Sequence, residues 1–344
     1  MVAVAVRDYS LVGDEARLAE QRGLAQARGY ACPIPSGRLR QLMQRRDGPA
    51  LRDTAIWFGA LVISGALGAH FWGSWAAAPF LAVYGTLYGS SSDSRWHETG
   101  HRTAFKTRWL NDVVYQIACF MLFREPTVWR WSHTRHHTDT LIVGRDPEIA
   151  VPRPPSLVDL ALNVLALKST ATALGKLVLH VCGRLTPEEC TFIPKRERWK
   201  VPWVARVWLV ILAAITAACL ATHSLLPAML VGLPTIYGAW LLLFLGLTQH
   251  AGMAEDALDH RLNSRTIYMN PVLRFLYSNM NYHLEHHMFP MVPYHALPQL
   301  HEMVKADCPP PYPSCWAAYR EIIPAVLRQR RDPRWQVTRP LPSA

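Results

Sequence analysis

The chain has 344 residues, of which 50% are hydrophobic and only 18% charged, and its formal net charge is +11. An ordinary soluble domain has about a quarter charged residues, so this composition excludes intrinsic disorder and collagen and argues against a simple water-soluble globule. The deficit of charge is local, because residues 54–92 and 207–254 contain no Asp, Glu, Lys or Arg. The remainder has the charge content of a soluble protein, so the chain combines uncharged apolar stretches with ordinary polar segments.

The two uncharged stretches predict an all-α integral membrane protein with four transmembrane helices in two hairpins. A span needs about 20 apolar residues, and each stretch has one break, near residues 70–75 and 222–227. The predicted spans cover residues 54–71, 76–92, 203–222 and 228–249. Lys and Arg flank both hairpins and are missing from their turns. The positive-inside rule therefore predicts that both termini and the middle segment are cytoplasmic.

The remaining segments are predicted to lie on the cytoplasmic side. Residues 1–53 form an N-terminal segment, residues 54–305 a membrane domain, and residues 306–344 a tail. Two stretches, 110–123 and 157–185, are predicted to be amphipathic helices on the cytoplasmic face. The seven cysteines are odd in number and lack a Cys-x-x-Cys spacing, which favours free thiols. The basic residues flank spans instead of lining one patch, which argues against nucleic-acid binding.

Eight of the fifteen histidines form three tight groups. The groups are His97 and His101; His133, His136 and His137; and His283, His286 and His287. Positions i, i+3 and i+4 share one helical face, so each group can direct its imidazoles towards one centre. Neutral imidazole binds Fe, Cu, Zn and Ni, and one ion takes about four to six ligands, so the groups predict two metal ions. His250, at the end of the fourth predicted span, is a ninth candidate.

Carboxylates beside these groups are candidates to orient the histidines, since a metal-bound histidine commonly donates its second ring N–H to a carboxylate. The candidates are Asp93, Glu98, Asp139 and Glu285. A solvated or capping carboxylate explains each of them equally well. The charged run at residues 144–148 is predicted to be a loop. The tryptophans near the groups, Trp96, Trp129 and Trp131, are better explained by an aromatic belt at the membrane surface than by a pocket wall.

The three histidine groups, in this order around two membrane hairpins, resemble those of the membrane fatty-acid desaturase and hydroxylase superfamily over about residues 50–305. The resemblance implies two irons that activate dioxygen, held by the eight grouped histidines with His250 as the extra ligand. Some members place an asparagine one turn before that extra histidine. Gly246 occupies the position here, so the resemblance leaves Asn279 and Asn281 as replacements.

Three segments, at residues 92–97, 129–133 and 279–298, are most similar to one branch of this superfamily. That branch includes a rhizopine-catabolism oxygenase and a dihydrorhizobitoxine desaturase. The similarity implies either hydroxylation of an O-methyl group on an inosamine, with release of formaldehyde, or desaturation of a small amino acid. Neither of these substrates, nor a lipid acyl chain, follows from composition or spacing.

The histidine-rich site predicts an oxidoreductase that removes hydrogen from an unactivated C–H bond. Loss of a second hydrogen gives an alkene, and return of a hydroxyl group gives an alcohol. The sequence has neither a Gly-x-Gly-x-x-Gly motif nor iron–sulfur cysteine spacing. Electrons are therefore expected from a ferredoxin-type donor and its reductase, docking on a basic cytoplasmic face of the inner membrane. Two alternatives stay open, a membrane zinc hydrolase and a metal transporter.

Overall fold

The computed structural model describes residues 7–25 and 29–342, and within these ranges the chain is helical without any strand. Extended backbone pairs there only in two isolated bridges, Thr266 with Tyr282 and Ile267 with Tyr312. A π-helical turn covers Leu87–Ser91, and 3-10 turns cover Lys195–Glu197, Tyr294–Ala296 and Lys305–Asp307. The α-helices are α1 (Asp14–Gln21), α2 (Ser36–Leu42), α3 (Asp47–His70), α4 (Ala77–Thr86), α5 (Ser92–Gly100), α6 (Arg108–Met121), α7 (Pro126–Asp139), α8 (Leu157–Val164), α9 (Leu167–Val181), α10 (Glu189–Phe192), α11 (Lys200–Thr222), α12 (Leu226–Leu230), α13 (Pro234–Tyr237), α14 (Trp240–His250), α15 (His260–Asn263), α16 (Pro271–Leu276), α17 (His283–Met288), α18 (Leu297–Val304) and α19 (Cys315–Gln329).

Two helical segments in the described ranges are long and apolar enough to cross a membrane. They are Ser36–His70, which contains α3, and Lys195–Thr222, which contains α11. The first and third predicted spans lie almost entirely within these segments. Helices α8 and α9 together form a third candidate, but they are bent by 82°. Ala166, which immediately precedes α9, has a φ of 49° in the left-handed region, so the bend is built into the backbone.

The second and fourth predicted spans are not single apolar helices. Residues 77–100 form one helical path through α4, the π-helical turn and α5, so helix continues past the predicted end at residue 92. The predicted helix over 228–249 is wrong, since this stretch divides into α12, α13 and α14. Gly232, with a φ of 98°, and Pro234 interrupt it, followed by Gly238. Hydropathy does not register these breaks because the residues around them are uniformly apolar.

Gly238 allows the broken stretch to cross the helical path of α4 with the two backbones in contact. A Cβ atom at Gly238 would lie 1.7 Å from the carbonyl oxygen of Gly85. One at Gly89 would lie 2.3 Å from the carbonyl oxygen of Pro234. Ser90 reinforces the crossing, because its hydroxyl donates to the Gly238 carbonyl and accepts from the backbone N–H of Leu242 at 2.9 Å. The crossing therefore fixes the π-helical turn from which α5 continues.

Replacing Gly238 with Ala is expected to lower the free energy of unfolding by roughly 1–3 kcal/mol, the usual cost of forcing a methyl group into a filled space. Thermal unfolding of the purified protein in lipid measures the effect. Gly246→Ala is the matched control, because a Cβ atom there meets nothing within 4 Å and Ala favours a helix over Gly by about 1 kcal/mol. Equal unfolding midpoints for the two variants would contradict the close crossing.

Both terminal segments pack against α14 or the loop that follows it. Near the N-terminus, the Tyr9 hydroxyl donates to Glu255 at 2.8 Å, and Arg7 pairs with the same carboxylate at 2.9 Å. Near the C-terminus, the backbone N–H of Val337 donates to the Gly252 carbonyl at 2.9 Å. Helix α19 stacks Tyr319 on Phe244 of α14. The division of the chain into an N-terminal segment, a membrane domain and a C-terminal tail remains a prediction.

Candidate functional site

Four helices, α5, α7, α14 and α17, bring the predicted histidines together. His97 lies in α5, and His101 follows its last residue. Helix α7 begins with Pro126 at its first position and is capped by Glu125, which accepts the backbone N–H of Val128 at 2.6 Å. The i, i+3 and i+4 spacing then places the three histidines of α7 on one face. Helix α17 begins at the first histidine of the third group, and the last residue of α14 is His250.

Five of these histidines form the first of two groups that could hold a metal ion. The members are His97, His101, His133, His137 and His286. Their Nε2 atoms face one another, with 2.9 Å between His97 and His286 and 3.1 Å between His101 and His133. His137 closes the group, since its Nε2 lies 3.1 Å from that of His133 and 3.2 Å from that of His286.

The other four histidines form the second group. The members are His136, His250, His283 and His287. The Nε2 atom of His283 lies 2.8 Å from that of His250 and 3.0 Å from that of His287. His136 belongs to this group although its neighbours His133 and His137 belong to the first, so α7 supplies ligand candidates to both. All nine predicted histidines thus fall into two groups, and each could hold one ion.

The arrangement fits metal binding on two physical grounds. A nitrogen–metal distance of about 2.1 Å places two adjacent ligands of one ion about 3 Å apart, as these Nε2 atoms are. Burial and the neighbouring imidazoles hold the pKa of His97, His133 and His137 well below the usual range, and burial lowers that of His101 to about 4. These four imidazoles are therefore neutral at physiological pH, and a neutral ring nitrogen is the form that binds a metal.

Two carboxylates from the loop after α7 orient two of the histidines. His136 donates its Nδ1–H to both oxygens of Asp146, at 2.9 and 3.0 Å. His133 donates its Nδ1–H to Glu148 at 3.0 Å, and Ser132 donates to the other oxygen of that carboxylate at 2.7 Å. Burial lowers the pKa of His136, but the charge of Asp146 outweighs burial and raises it to about 9. Each carboxylate accepts the Nδ1 proton, so Nε2 is the ring nitrogen that faces the group and would bind a metal.

Neither carboxylate was predicted to act here, because the run at 144–148 was predicted only to be a loop. An acidic pair about ten residues after the second histidine group was the available signal. Two further histidines use uncharged partners. His250 donates its Nδ1–H to the backbone carbonyl of Asn263 at 2.7 Å. The Thr140 hydroxyl donates to the His136 carbonyl, so it accepts from Nδ1 of His287 at 3.1 Å.

Of the predicted orienting residues, Glu98 lies nearest to a grouped histidine. Its Oε1 is 3.9 Å from Nδ1 of His286, and burial raises its pKa to about 8. Asp139 instead pairs with Arg135 and Arg145. Asp93 pairs with Arg124 and accepts the indole N–H of Trp96. In the described ranges neither residue bonds a histidine.

The other three predicted neighbours of the histidines also bond elsewhere. Asn279 accepts from Arg274, and Asn281 donates to the backbone carbonyl of Ile267. Glu285 points away from the two groups, accepting from Thr266 at 2.6 Å and from His301 at 2.5 Å. These contacts anchor α17 and its approach and do not orient a grouped histidine directly.

Trp96 and His260 are two neighbours of the groups with different surroundings. Trp96 is buried, stacks on His97 and meets His133 edge-on, so it is not part of an exposed belt. Arg124 lies over its ring, 4.7 Å from the centroid. His260 lies 5.2 Å from His287 between ring centroids but belongs to neither group.

Comparison with known proteins gives one family. The fatty acid desaturase family model matches residues 72–319. Among curated relatives, the chain is 29% identical over 280 residues to an omega-6 fatty acid desaturase, endoplasmic reticulum isozyme 1, of Glycine max, covering 70% of this chain and 71% of that protein. It is 28% identical over 287 residues to a Delta(12)-acyl-lipid-desaturase of Punica granatum, again covering 70% and 71%.

A third relative is the acyl-lipid (9+3)-(E)-desaturase of Dimorphotheca sinuata, at 25% identity over 266 residues, covering 66% of this chain and 68% of that protein. The family match spans all nine histidines of the two groups. This match confirms the resemblance that was inferred from the histidine spacing. It also confirms the prediction of a desaturase-like enzyme. Because that match covers well over half of the sequence, the chain belongs to the fatty acid desaturase family.

Proposed function

We propose that this protein is a membrane-bound, non-haem di-iron oxidoreductase that desaturates or hydroxylates an unactivated C–H bond with dioxygen. The division of the nine histidines into groups of five and four is the observation that carries the proposal. Membership of the desaturase family supports the reaction class. Bound iron would supply the activation of dioxygen and the removal of hydrogen from carbon.

The chain itself would hold the ions and control the protons around them. The first group would bind one ion and the second group the other. Asp146 and Glu148 keep the Nδ1 protons of His136 and His133 in place, which fixes the tautomer of each ring. The centre is buried, so bulk water has little access to reactive species formed there.

The number of histidines in each group and their position in the chain disfavour the two alternative functions. A catalytic zinc site uses about three protein ligands and an open position, whereas each group here has four or five histidines. A transport site lies near the middle of the membrane, whereas all nine histidines lie outside the two helical segments that qualify as spans on their own. About two irons per purified chain supports the oxidoreductase, and a single zinc would support the hydrolase.

The substrate is proposed to be a lipid acyl chain or a small aliphatic molecule. The relatives named above are acyl-lipid and fatty acid desaturases by name, and the rhizopine-related branch stays a prediction from three short segments. Incubating iron-loaded protein with dioxygen, an electron donor and candidate substrates tests the reaction. A product mass lower by 2 indicates desaturation, one higher by 16 indicates hydroxylation, and loss of a methyl group indicates demethylation. If neither the acyl-chain candidates nor the small aliphatic candidates changed in mass, the result would count against the proposal.

We also propose that the enzyme is a multi-pass protein of the inner (cytoplasmic) membrane, with termini and histidines facing the cytoplasm, and that a ferredoxin-type protein with its reductase delivers the electrons. The net charge of +11 supports docking of an acidic donor. Exposed basic side chains are available for such docking. Arg102 directly follows His101, Arg196 lies in the 3-10 turn before α11, and Lys200 begins α11.

Turnover with such a donor is expected to depend strongly on salt. Raising the ionic strength from about 0.01 M to about 1 M shortens the screening length from about 30 Å to about 3 Å. The apparent KM for the protein donor is then expected to rise at least about tenfold, because steering by charge is lost. A small uncharged reductant serves as the control and should show no such rise. A KM for the protein donor that does not change with salt would contradict electrostatic docking.

A further inference from the structure

A cavity of about 850 Å³ lies beside α7 and is lined by none of the nine grouped histidines. Glu125, Val128, Trp129 and Ser132 form one wall, and their spacing places them on one face of α7. Glu125 and Ser132 are seven residues apart, which corresponds to about 10 Å along a helix. His136 follows one turn after Ser132. The cavity also reaches Asp146, whose carboxylate accepts from His136.

The opposite parts of the cavity come from α9, α11 and α14. Leu177, Trp208 and Leu242 give it an apolar wall. The bend between α8 and α9 carries further residues of the cavity wall, among them Asn163 and Thr170. The cavity is therefore amphipathic, with an apolar body and a polar part formed by residues of α9 and the N-terminal end of α7.

Each cation that lines the cavity is paired with a carboxylate of the chain. Arg124 pairs with Asp93, and Lys168 with Asp159. The fully buried carboxylate of Glu189 accepts from His180 at 2.9 Å and pairs with Lys176 at 3.1 Å. Burial by itself raises the pKa of Glu189, but these two partners outweigh it and lower the pKa to about 2. Among the residues that the structure describes, the cavity thus offers no unpaired Lys or Arg to an anionic ligand.

Glu125 differs from the other acidic residues in the cavity wall. It is 6% exposed, and its Oε2 accepts the backbone N–H of Val128, but its Oε1 has no hydrogen-bond partner within the described ranges. No Lys or Arg described in the structure forms an ion pair with it. The hydroxyl of Thr170, also 6% exposed, likewise has no partner there. A buried polar group without a partner is destabilising, and a hydrogen-bonding ligand would remove that cost.

We infer that this cavity binds the substrate of the oxidation, that a hydrogen-bond-donating head group, an amine or a hydroxyl, contacts Glu125, and that the apolar part lies between α7 and α11. A carboxylate head group is disfavoured, because it could form no ion pair with Glu125 and the described cations that line the cavity are already paired. With its head at Glu125, the ligand extends about 10 Å along α7 towards Ser132, one turn before His136. The identification of this ligand as the substrate rests on the proposed function, whereas its binding does not.

Three photoreactive probes that share one medium-length alkyl chain and differ only in the head group test the inference. The heads are an amine, a hydroxyl and a carboxylate. Each probe is added to the metal-loaded protein in lipid nanodiscs without an electron donor, and the labelled peptides and apparent Kd are measured. The amine and hydroxyl probes are expected to label α7, α9 or α11, and the carboxylate probe is expected to bind at least about tenfold more weakly.

Glu125→Gln is expected to weaken binding of the amine probe about tenfold, because it removes the charge and leaves the size of the side chain unchanged. Glu302→Gln, on the exposed surface of α18, is the matched control and should bind all three probes normally. Thr170→Val provides a second variant that leaves the cap of α7 intact and is expected to weaken the amine and hydroxyl probes by roughly threefold. Metal content and unfolding midpoints are measured for every variant.

Labels outside α7, α9 and α11, a carboxylate probe that binds as tightly as the amine, or binding unaffected by both cavity variants would each overturn the inference. Because the probes report binding without turnover, these outcomes are independent of the proposed reaction. A protein that contains no iron but binds the amine probe at Glu125 would refute the proposed function and retain the cavity as a ligand site.

Discussion

His286→Ala is expected to abolish oxygen-dependent turnover, leaving less than about one per cent of the activity, because even the loss of a residue that only orients a ligand costs up to about a hundredfold. His286 contributes one of the five Nε2 atoms of the first group and lies within 3.2 Å of two others. Its removal opens this group and leaves the second unchanged. Bound iron should therefore fall from about two per chain towards one, as measured by metal analysis alongside product formation.

His136→Ala makes the corresponding test of the second group and is expected to lower the iron content in the same way. His70→Ala is the control, because His70 is exposed at the end of α3 and belongs to neither group. It should retain both iron and activity. If His286→Ala or His136→Ala retained full turnover, the assignment of the two groups as the metal centre would be wrong.

Asp146→Asn is expected to lower the affinity for metal by about 10–100-fold, the usual consequence of losing the partner of a metal-bound histidine. Asp146 accepts from His136 and also from the backbone N–H groups of Leu141 and Glu148 at 2.8 Å. The substitution preserves the shape of the side chain but removes the charge that holds the proton on Nδ1 of His136. Competition with a chelator measures the loss of iron from the second group.

Asp139→Asn is the matched control for this experiment. Asp139 lies at the end of α7, close in sequence to the same histidines, and is as deeply buried as they are, but it pairs with two arginines. Its substitution should leave the affinity for metal within about twofold of the original, since it changes no contact to a histidine. Equal losses for the two variants would indicate a general effect of buried charge and would contradict a specific role of Asp146.

The contrast between Asp139 and Asp146 shows where sequence reasoning about the site ends. Both are acidic and near the second histidine group, and proximity in sequence favoured Asp139. On the helix, however, Asp139 lies three residues after His136 and pairs with arginines, whereas Asp146 returns through a loop that ends opposite the ring nitrogen. The helical period predicts which histidines share a face, but no period describes how a loop returns to them.

The fold shows the same division. The absence of charge over residues 54–92 and 207–254 indicated apolar helices, and α3 and α11 are found there. In the second stretch, Gly238 crosses closely over Gly85, a contact between segments about 150 residues apart. A composition average contains no information about such a contact, so the fourth predicted span was drawn as one helix.

The sequence by itself determined the identity of the nine histidines, their arrangement on helical faces and the family, because local spacing and residue type are sufficient for these. Only the tertiary structure decided how the histidines divide. His136 joins His250, His283 and His287, while His133 and His137, on the same helix, join the other group. Adjacent positions on one helix point about 100° apart, so α7 can serve two centres. Which centre each imidazole reaches depends on where α5, α14 and α17 are packed around it.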